Sequence, residues 1–198
     1  MSDPPVDAGD DAATALSAED RQRLKLAYIT LRRELNEAEQ VGIDDTDRWA
    51  FARRRDVLDE RFLFGLHRRM FGGVWAWAGA RRAANTNIGL DHQQIEVELR
   101  SLLNNGRYWV EHDTYPPDEL ALRFHHRLTQ IHPFPNGNGR FARLATDLLI
   151  VQRLDAERFT WGRGSLVETG ELRGRYVGAL RIADRELEYG PLQRFARS

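Results

Sequence analysis

Cysteine is absent from the 198-residue sequence, which excludes disulfide bridges, thiolate metal sites and cysteine nucleophiles. No apolar stretch approaches the roughly 20 residues that a membrane-spanning helix needs, and the N-terminus lacks a basic region followed by a hydrophobic run. The formal net charge of −1 leaves no positive excess for a broad nucleic-acid-binding surface. We therefore expect a cytoplasmic protein that binds neither membrane nor nucleic acid.

The composition that remains suits one compact domain with an N-terminal extension. Hydrophobic residues make up 41% of the chain, which is enough for a sizeable core. Residues 1–16 are acidic and contain no aromatic side chain, so we expect a flexible tail. A capping pair, Ser17 and Asp20, precedes apolar residues at helical spacing and predicts an N-terminal helix within residues 17–42. Residues 43–198 should then form the main domain.

Helical periodicity dominates the main domain, so we predict an all-α fold. Polar residues 44–46 should separate the N-terminal helix from a second helix that stops at Gly72. A third helix should be capped by Asp91 and ended by Gly106. Residues 79–90 show little periodicity and are expected to form a short hairpin or an exposed loop. The four remaining predicted helices cover residues 116–132, 139–154, 171–188 and 191–196.

The chemistry is concentrated between two of these helices, at residues 132–140, which read HPFPNGNGR. Two glycines allow the backbone to turn its N–H groups inward, and the following helix adds the positive end of its dipole. Arg140 and Arg143 lie three residues apart on one face of that helix, where their guanidinium groups can grip phosphate oxygens. These features together predict a polyphosphate ligand.

His132 stands at the edge of this loop and is the candidate general base, because an imidazole accepts a proton near neutral pH. With a phosphoanhydride held in the loop, deprotonation of an incoming hydroxyl leads to in-line displacement at phosphorus without a covalent enzyme intermediate. The alternative is a glycine-rich connection in which His132 merely caps a helix. The density of histidine, glycine and arginine in one short loop favours the catalytic interpretation.

These residues resemble the signature of the Fic family, HPFx[D/E]GN[G/K]R, which is followed by an arginine three residues later. Residues 132–140 match eight of the nine positions, and Arg143 supplies the additional arginine. A less specific resemblance extends over residues 47–187. It implies a mostly helical domain with a short β-hairpin flap and an N-terminal inhibitory-type helix. The activity it implies is protein adenylyltransferase, which moves AMP from ATP onto a protein hydroxyl.

The resemblance also implies a role for each matching residue. His132 and Arg140 would be catalytic, and Phe134 would anchor the loop in the core. The nucleotide-binding residues would be Gly137, Asn138, Gly139, Arg140 and Arg143. The flap that docks a target protein by strand-like backbone pairing would be Thr86, Asn87, Ile88 and Gly89. The expected partners are ATP, an unidentified target protein and the protein itself, with a homo-oligomer left open.

Asn136 departs from the family pattern, because it stands where the family carries the Asp or Glu that binds Mg²⁺ or Mn²⁺. An amide oxygen can ligate Mg²⁺ but brings no charge, so weaker metal binding is expected. The same asparagine resembles a branch of the family associated with mobile elements. A catalytically weak or silent nucleotide-binding module is therefore the alternative function, and transfer of another phosphate-containing group is also left open.

An internal brake is implied by a second family pattern, [S/T]xxxE[G/N], which lies on a helix ahead of the core. Thr30 and Glu34 resemble it, although Leu35 stands where Gly or Asn is expected. The resemblance implies that Thr30 contacts the core and that the Glu34 carboxylate occupies Arg143, which would deny this arginine to a γ-phosphate. The alternative is that Glu34 is a solvated partner of nearby arginines on its helix.

Four other conspicuous side chains receive structural interpretations. His125 and His126 point about 100° apart on a helix and have no partner at metal-ligand spacing, so zinc is not predicted. One of the two is expected to be a packed or hydrogen-bonded wall of the site. Trp75 and Trp77 are assigned to packing rather than to base stacking.

Overall fold

The computed structural model describes residues 22–163 and 170–198 and confirms the all-α fold. The described residues contain no strand, and no helix among them is both long and apolar enough to cross a bilayer. The helices are α1 (Arg32–Phe51), α2 (Glu60–Phe71), α3 (Ile95–Glu111), α4 (Pro117–Ile131), α5 (Asn138–Gln152), α6 (Glu171–Glu186) and α7 (Gly190–Ala196). The predicted tail at residues 1–16 and the predicted helix start at residues 17–21 lie outside the described residues.

Local sequence signals explain where several helices begin and end. Asp59 caps α2 by accepting a hydrogen bond from the Phe62 N–H at 2.8 Å, and Gly72 follows the last turn of that helix. Asp91 accepts from the Gln93 N–H at 2.9 Å and starts a short 3₁₀ turn that leads into α3. Proline followed by two acidic residues begins α4, where negative charge suits the helix dipole.

The centre of the fold is the pair of helices α4 and α5. They pack against each other, while α4 also contacts α3 and α7, and α5 also contacts α1 and α2. Buried side chains form two clusters, one shared by α1 to α5 and the other lying among α4, α5, α6 and α7. The connection between α4 and α5 is therefore held in place by helices packed on both sides.

The N-terminal helix differs from its prediction. Thr30 precedes the first residue of α1, and the predicted break at residues 44–46 lies inside the helix. Thr46 is buried within the helix, and its hydroxyl is satisfied there by donating to the Gly42 carbonyl one turn earlier, at 2.7 Å. At Gly42 the helices α1 and α2 approach so closely that a Cβ atom would lie 2.3 Å from the Met70 carbonyl oxygen.

One further sequence prediction was wrong, and one open alternative is decided by the structure. α3 continues past Gly106, where the missing side chain makes room for Leu58; a Cβ atom there would lie 2.9 Å from Leu58 Cδ2. Residues 79–90 form an irregular loop, which is the second of the two predicted alternatives, and the β-hairpin flap implied by the resemblance is not present there. The N–H groups of Arg82 and Leu90 donate to carbonyl groups at the end of α4 and just beyond it, at 3.0 and 3.1 Å, so they do not pair across a hairpin.

The segment before α1 is attached to the loop that follows α2. The Lys25 N–H donates to the Val74 carbonyl at 2.8 Å, and the Ala76 N–H donates to the Arg23 carbonyl at 3.1 Å. These bonds flank an isolated antiparallel bridge to Trp75. They fix the backbone that carries the Trp75 indole into the core.

Candidate active site

His132 lies at the turn between α4 and α5, at the start of the glycine loop (residues 132–140). Its backbone is left-handed, with φ 51° and ψ 60°, and Pro133 behind it disfavours a continued helix. The side chain faces Gly89 in the flap loop (residues 79–90), where a Cβ atom would lie 2.5 Å from His132 Cβ. The imidazole is therefore held between the two loops.

The His132 imidazole is neutral at pH 7. Its pKa is lowered to about 4, chiefly by burial and also by the positive charge of Arg82, while a hydrogen bond to the Thr129 carbonyl opposes both effects. A neutral ring has one nitrogen without a proton. The side chain is thus in the protonation state that a general base requires.

The side chain of Asn138 closes the glycine loop. Its Oδ1 accepts from the Phe134 N–H at 2.9 Å, and its Nδ2 donates to the Phe134 carbonyl at 2.8 Å. Phe134 is fully buried, as expected of an anchor. Because both ends of the Asn138 amide are occupied inside the protein, this residue offers a ligand its backbone N–H rather than its side chain.

The two glycines of this loop differ in how strictly the structure requires glycine at their positions. Gly137 has φ 76°, and a Cβ atom there would lie 2.7 Å from the Phe71 ring, so the position requires glycine. A Cβ atom at Gly139 would meet only Arg143 Nη1, at 3.8 Å. Between α4 and these glycines, the exposed Asn136 turns its Oδ1 back onto the Gly137 N–H at 2.6 Å.

The His67 side chain hydrogen-bonds to both the flap loop and the glycine loop. The sequence analysis did not identify this residue. The Gly79 N–H donates to His67 Nδ1 at 3.0 Å, so the ring proton is on Nε2, which donates to the Asn136 carbonyl at 3.1 Å. Its ring stacks on Phe134 with 3.7 Å between centroids. Burial lowers the pKa of His67 to about 3. Its hydrogen-bond partners are backbone atoms, so no residue pattern indicates this role.

Arg82 is the second missed residue, and it clamps the flap loop onto the end of α4. The side chain is 4% exposed, and its Nε donates to the His132 carbonyl at 2.7 Å. Its other nitrogens reach the carbonyl groups of Ala84, Leu90 and Ile131. A guanidinium at the negative end of α4 satisfies carbonyl groups that the helix leaves unpaired. Burial lowers the pKa of Arg82.

Glu39 is the third missed residue, and its carboxylate reaches the loop residue Arg140. It is 3% exposed, and its Oε2 lies 2.6 Å from Arg140 Nη1. Its Oε1 accepts from Trp75 Nε1 at 2.5 Å. A sequence signal did exist, because Glu39 lies four residues after the buried Leu35 and so falls on the apolar face of α1.

The predicted contact between Glu34 and Arg143 was wrong. Glu34 lies in the first turn of α1, where its Oε2 accepts from the N–H groups of Thr30 and Leu31 at 2.9 and 3.1 Å. These hydrogen bonds lower the pKa of Glu34. The residue caps its own helix, and Thr30 does not share a helical face with it.

Arg143 lies one turn into α5 behind Arg140. It is largely enclosed, and burial lowers its pKa, whereas the neighbouring Tyr176 raises it. The Arg140 guanidinium is half-buried over the Phe71 ring, with Cζ 4.9 Å from the centroid. Both guanidinium groups therefore lie at the N-terminal end of α5, as the spacing predicted.

The remaining predicted residues lie as follows. Thr86, Asn87 and Ile88 are exposed, and Thr86 Oγ1 donates to the Ile88 carbonyl at 2.6 Å in place of a strand contact. His125 and His126 are both buried and hydrogen-bonded, and Trp75 and Trp77 stack with 5.1 Å between ring centroids.

Comparison with known proteins finds one family that part of the chain resembles. Residues 57–150, which cover α2, α3, α4 and most of α5 with the whole glycine loop, match the model of the Fic/DOC family. Residues 57–150 are thus similar to a Fic domain and are called the Fic domain below. Fic-1 of Caenorhabditis elegans, named a protein adenylyltransferase, is 25% identical over 177 residues, which are 83% of this chain and 31% of that protein.

Two further comparisons extend the similarity beyond the Fic domain itself. Protein adenylyltransferase Fic of Aedes aegypti is 24% identical over 195 residues, which are 94% of this chain and 37% of that protein. The chain thus spans about a third of the length of these two curated relatives. The BepC protein of Bartonella tribocorum, solved with bound AMPPNP, has the same fold, with a TM-score of 0.68 at 17% identity over 93% of this chain and 91% of that one.

The residues of the Fic domain fit a divalent metal ion poorly. Asn136 offers one neutral amide oxygen, which already accepts the Gly137 N–H. In the part of the chain that the structure describes, no three His, Asp or Glu side chains are grouped to hold a metal. Positive charge at the loop comes instead from Arg140 and Arg143.

Replacement of Gly137 in the Fic domain should destabilise the fold. Gly137→Ala should lower the free energy of unfolding by about 2 to 4 kcal/mol, because alanine disfavours a positive φ and its Cβ collides with Phe71. Gly139→Ala is the matched control and should stay within about 1 kcal/mol of wild type, since the site is open and helical. Urea unfolding of the two variants checks this, and equal effects would contradict the assigned difference.

Acidification should destabilise the Fic domain below about pH 6.5, because buried imidazoles resist protonation. The pKa values of His67 and His125 are lowered to about 3 and that of His132 to about 4, so the unfolded chain gains three protons that the folded chain does not bind. Asp147 acts oppositely, because burial raises its pKa from 3.8 to about 6, so the folded chain gains one proton first.

The net difference between pH 6 and pH 4 is therefore about two protons, and the free energy of unfolding should fall by about 3 kcal/mol for each pH unit of acidification. Urea unfolding across this range measures the slope. A free energy that stays constant or rises as the pH falls would show that these imidazoles protonate freely in the folded protein.

Proposed function

We propose that the protein transfers AMP from ATP to a hydroxyl group of a protein. The observation that carries the proposal is the neutral imidazole of His132 at the edge of a loop that ends in a helix N-terminus and two arginines. The family match of residues 57–150 and the names of the C. elegans and A. aegypti relatives support the same activity.

The reaction follows from the charges of the loop. The backbone N–H groups of residues 137–139 and the N-terminus of α5 would hold the α- and β-phosphates, with Arg140 and Arg143 on the distal phosphates. The target hydroxyl oxygen attacks the α-phosphorus while His132 takes its proton, and the bond from the α-phosphorus to the bridging oxygen breaks. The products are an AMP phosphodiester on the protein and pyrophosphate.

The target would approach along the flap loop. Thr86, Asn87 and Ile88 are exposed, and Gly89 packs on His132, so a chain lying along these residues would pass close to the base. Backbone recognition of this kind places a hydroxyl with little demand on sequence. The target, self-modification, a homo-oligomer, the cytoplasmic location and the assignment of residues 43–198 as the catalytic unit all remain predictions.

A brake is proposed at Glu39 instead of Glu34. The Glu39 carboxylate occupies Arg140 at 2.6 Å and is itself fixed by Trp75, so it competes with the distal phosphates for the same guanidinium. Because the carboxylate is on α1 and the arginine is on α5, the contact links the helix before residue 57 to the phosphate site. Residues 17–42 would thus act as a regulatory segment, as predicted.

A nucleotide-binding module without transfer is the second candidate function, and Asn136 favours it. Mg²⁺ or Mn²⁺ would arrive with ATP and be held chiefly by phosphate oxygens and water, because the one neutral oxygen of Asn136 already accepts the Gly137 N–H. The charge of the leaving pyrophosphate would then be balanced mainly by the two arginines. Transfer of another phosphate-containing group is compatible with the same residues.

Removal of the Glu39 charge should increase the transferase activity. Glu39→Gln retains the acceptor for Trp75 but loses the ion pair, and AMP incorporation from α-labelled ATP should rise about tenfold. Adding His132→Ala to this variant should lower incorporation by at least about a hundredfold. Intact mass measures the gain of AMP.

The matched control is Glu34→Gln, which alters a helix cap and should leave incorporation unchanged. An equal rise in both glutamate variants would contradict the brake at Glu39. ATP binding without incorporation in every variant would favour the silent module over the transferase.

A carboxylate at position 136 should lower the Mg²⁺ concentration that transfer requires. Asn136→Asp can still accept the Gly137 N–H and adds negative charge, so the Mg²⁺ concentration that gives half-maximal transfer should fall by roughly tenfold. Asn136→Ala should raise that concentration or leave it unchanged. A titration of Mg²⁺ at fixed ATP measures both, and an unchanged midpoint in Asn136→Asp would show that this position does not contact the metal.

A further inference from the structure

A chain of hydrogen bonds lies behind Arg143. His125 of α4 is fully buried, with Nε2 2.7 Å from the Tyr176 hydroxyl of α6 and Nδ1 3.2 Å from the Thr146 hydroxyl of α5. The Arg143 guanidinium lies over the Tyr176 ring, with Cζ 5.8 Å from the ring centroid, and Tyr176 raises the pKa of this arginine. Side chains from three helices thus meet at one arginine.

The direction of each hydrogen bond in this chain is fixed. The Thr146 hydroxyl donates to the Ala142 carbonyl at 2.7 Å, so its oxygen accepts from Nδ1–H of His125. Burial lowers the pKa of His125 to about 3, so its ring is neutral and Nε2 is an acceptor. The Tyr176 O–H donates to that nitrogen, so the phenol oxygen keeps its lone pairs free to accept from Arg143.

The two loop arginines have partners of different charge. Arg140 pairs with the Glu39 carboxylate at 2.6 Å, whereas no carboxylate in residues 22–163 or 170–198 lies within ion-pair distance of Arg143. Burial raises the pKa of Tyr176, so its phenol is neutral at pH 7. A neutral acceptor orients a guanidinium without cancelling its charge. Arg143 therefore remains available to an anion while Arg140 is occupied.

We infer that Tyr176, oriented by His125, is a positioning residue that holds the Arg143 guanidinium ready for the distal phosphates of ATP. The inference rests on the proposed function, because that function places Arg143 on those phosphates. It extends the nucleotide site to α6, a helix outside residues 57–150. The phenol does not touch the substrate; it acts through the arginine.

The test compares the affinities of the 198-residue protein for ATP and for AMP by isothermal titration calorimetry. AMP lacks the distal phosphates, so a change in the ratio of the two affinities reports on Arg143 rather than on overall folding. Tyr176→Phe keeps the ring and removes the hydroxyl, and it should weaken ATP binding about tenfold while changing AMP binding less than about twofold. Arg143→Ala should produce the same pattern.

The chain provides a matched control in the neighbouring histidine. His126 Nδ1 lies 3.2 Å from the Tyr189 hydroxyl, so Tyr189→Phe removes a comparable tyrosine–histidine bond. Tyr189 lies under Arg123, with 4.5 Å from Cζ to the ring centroid, and has no such contact with the loop arginines in the described residues. Tyr189→Phe should leave the ratio of ATP to AMP affinity unchanged.

A double-mutant cycle separates positioning from a structural role. Tyr176→Phe in the Arg143→Ala background should cause no further loss of ATP affinity, because its only effect passes through that arginine. Should Tyr176→Phe fail to fold, His125→Leu removes the acceptor of the Tyr176 proton and should lower the ratio of ATP to AMP affinity in the same direction. His125→Gln retains an acceptor and should preserve the ratio.

The outcomes distinguish the inference from the function on which it rests. If Arg143→Ala lowers the ratio but Tyr176→Phe behaves like Tyr189→Phe, the positioning role is overturned and the phosphate role of Arg143 stands. If Arg143→Ala itself leaves the ratio unchanged, both the inference and the proposed phosphate site are overturned.

Discussion

The hydrogen bonds between Asn138 and the backbone of Phe134 are the contacts on which the site depends. They close the glycine loop into a single shape, with the Phe134 ring buried and the backbone free to turn at Gly137. The left-handed residue His132 and the first residue of α5 thereby acquire a fixed separation. A base and a helix N-terminus are useful together only at a constant distance, because misplacement by about 1 Å can cost a hundredfold in rate.

At the glycine loop, the Glu39 carboxylate and a bound polyphosphate would compete for the positive charge of Arg140. Glu39 reaches Arg140 from α1, whereas Arg143 lies over the neutral phenol of Tyr176 on α6. One guanidinium is thus compensated within the protein and the other is not. A polyphosphate would have to displace Glu39 from Arg140 but would meet Arg143 already oriented, so the two arginines need not contribute equally to its binding.

Sequence reasoning succeeded where the determinants are local. The glycine loop, the histidine before a proline and two arginines three residues apart are adjacent in the chain, so their meeting follows from helix geometry. It failed where the partner is remote or is backbone: Arg82 bonds carbonyl groups, and Glu39 lies 101 residues from Arg140. The wrong choice of Glu34 has the same origin, since a short pattern does not show which carboxylate faces the interior.

The surroundings of His132 make its pKa depend on whether a phosphate group is bound beside it. Burial and the clamp residue Arg82 hold the pKa at about 4, which keeps the ring neutral but makes it a weak base in the free protein. Phosphate groups beside the ring would add negative charge in a poorly solvated site, and negative charge raises the pKa of an imidazole. The base would therefore become stronger when the nucleotide is in place, so Arg82 both fixes the flap loop and limits the reactivity of the empty site.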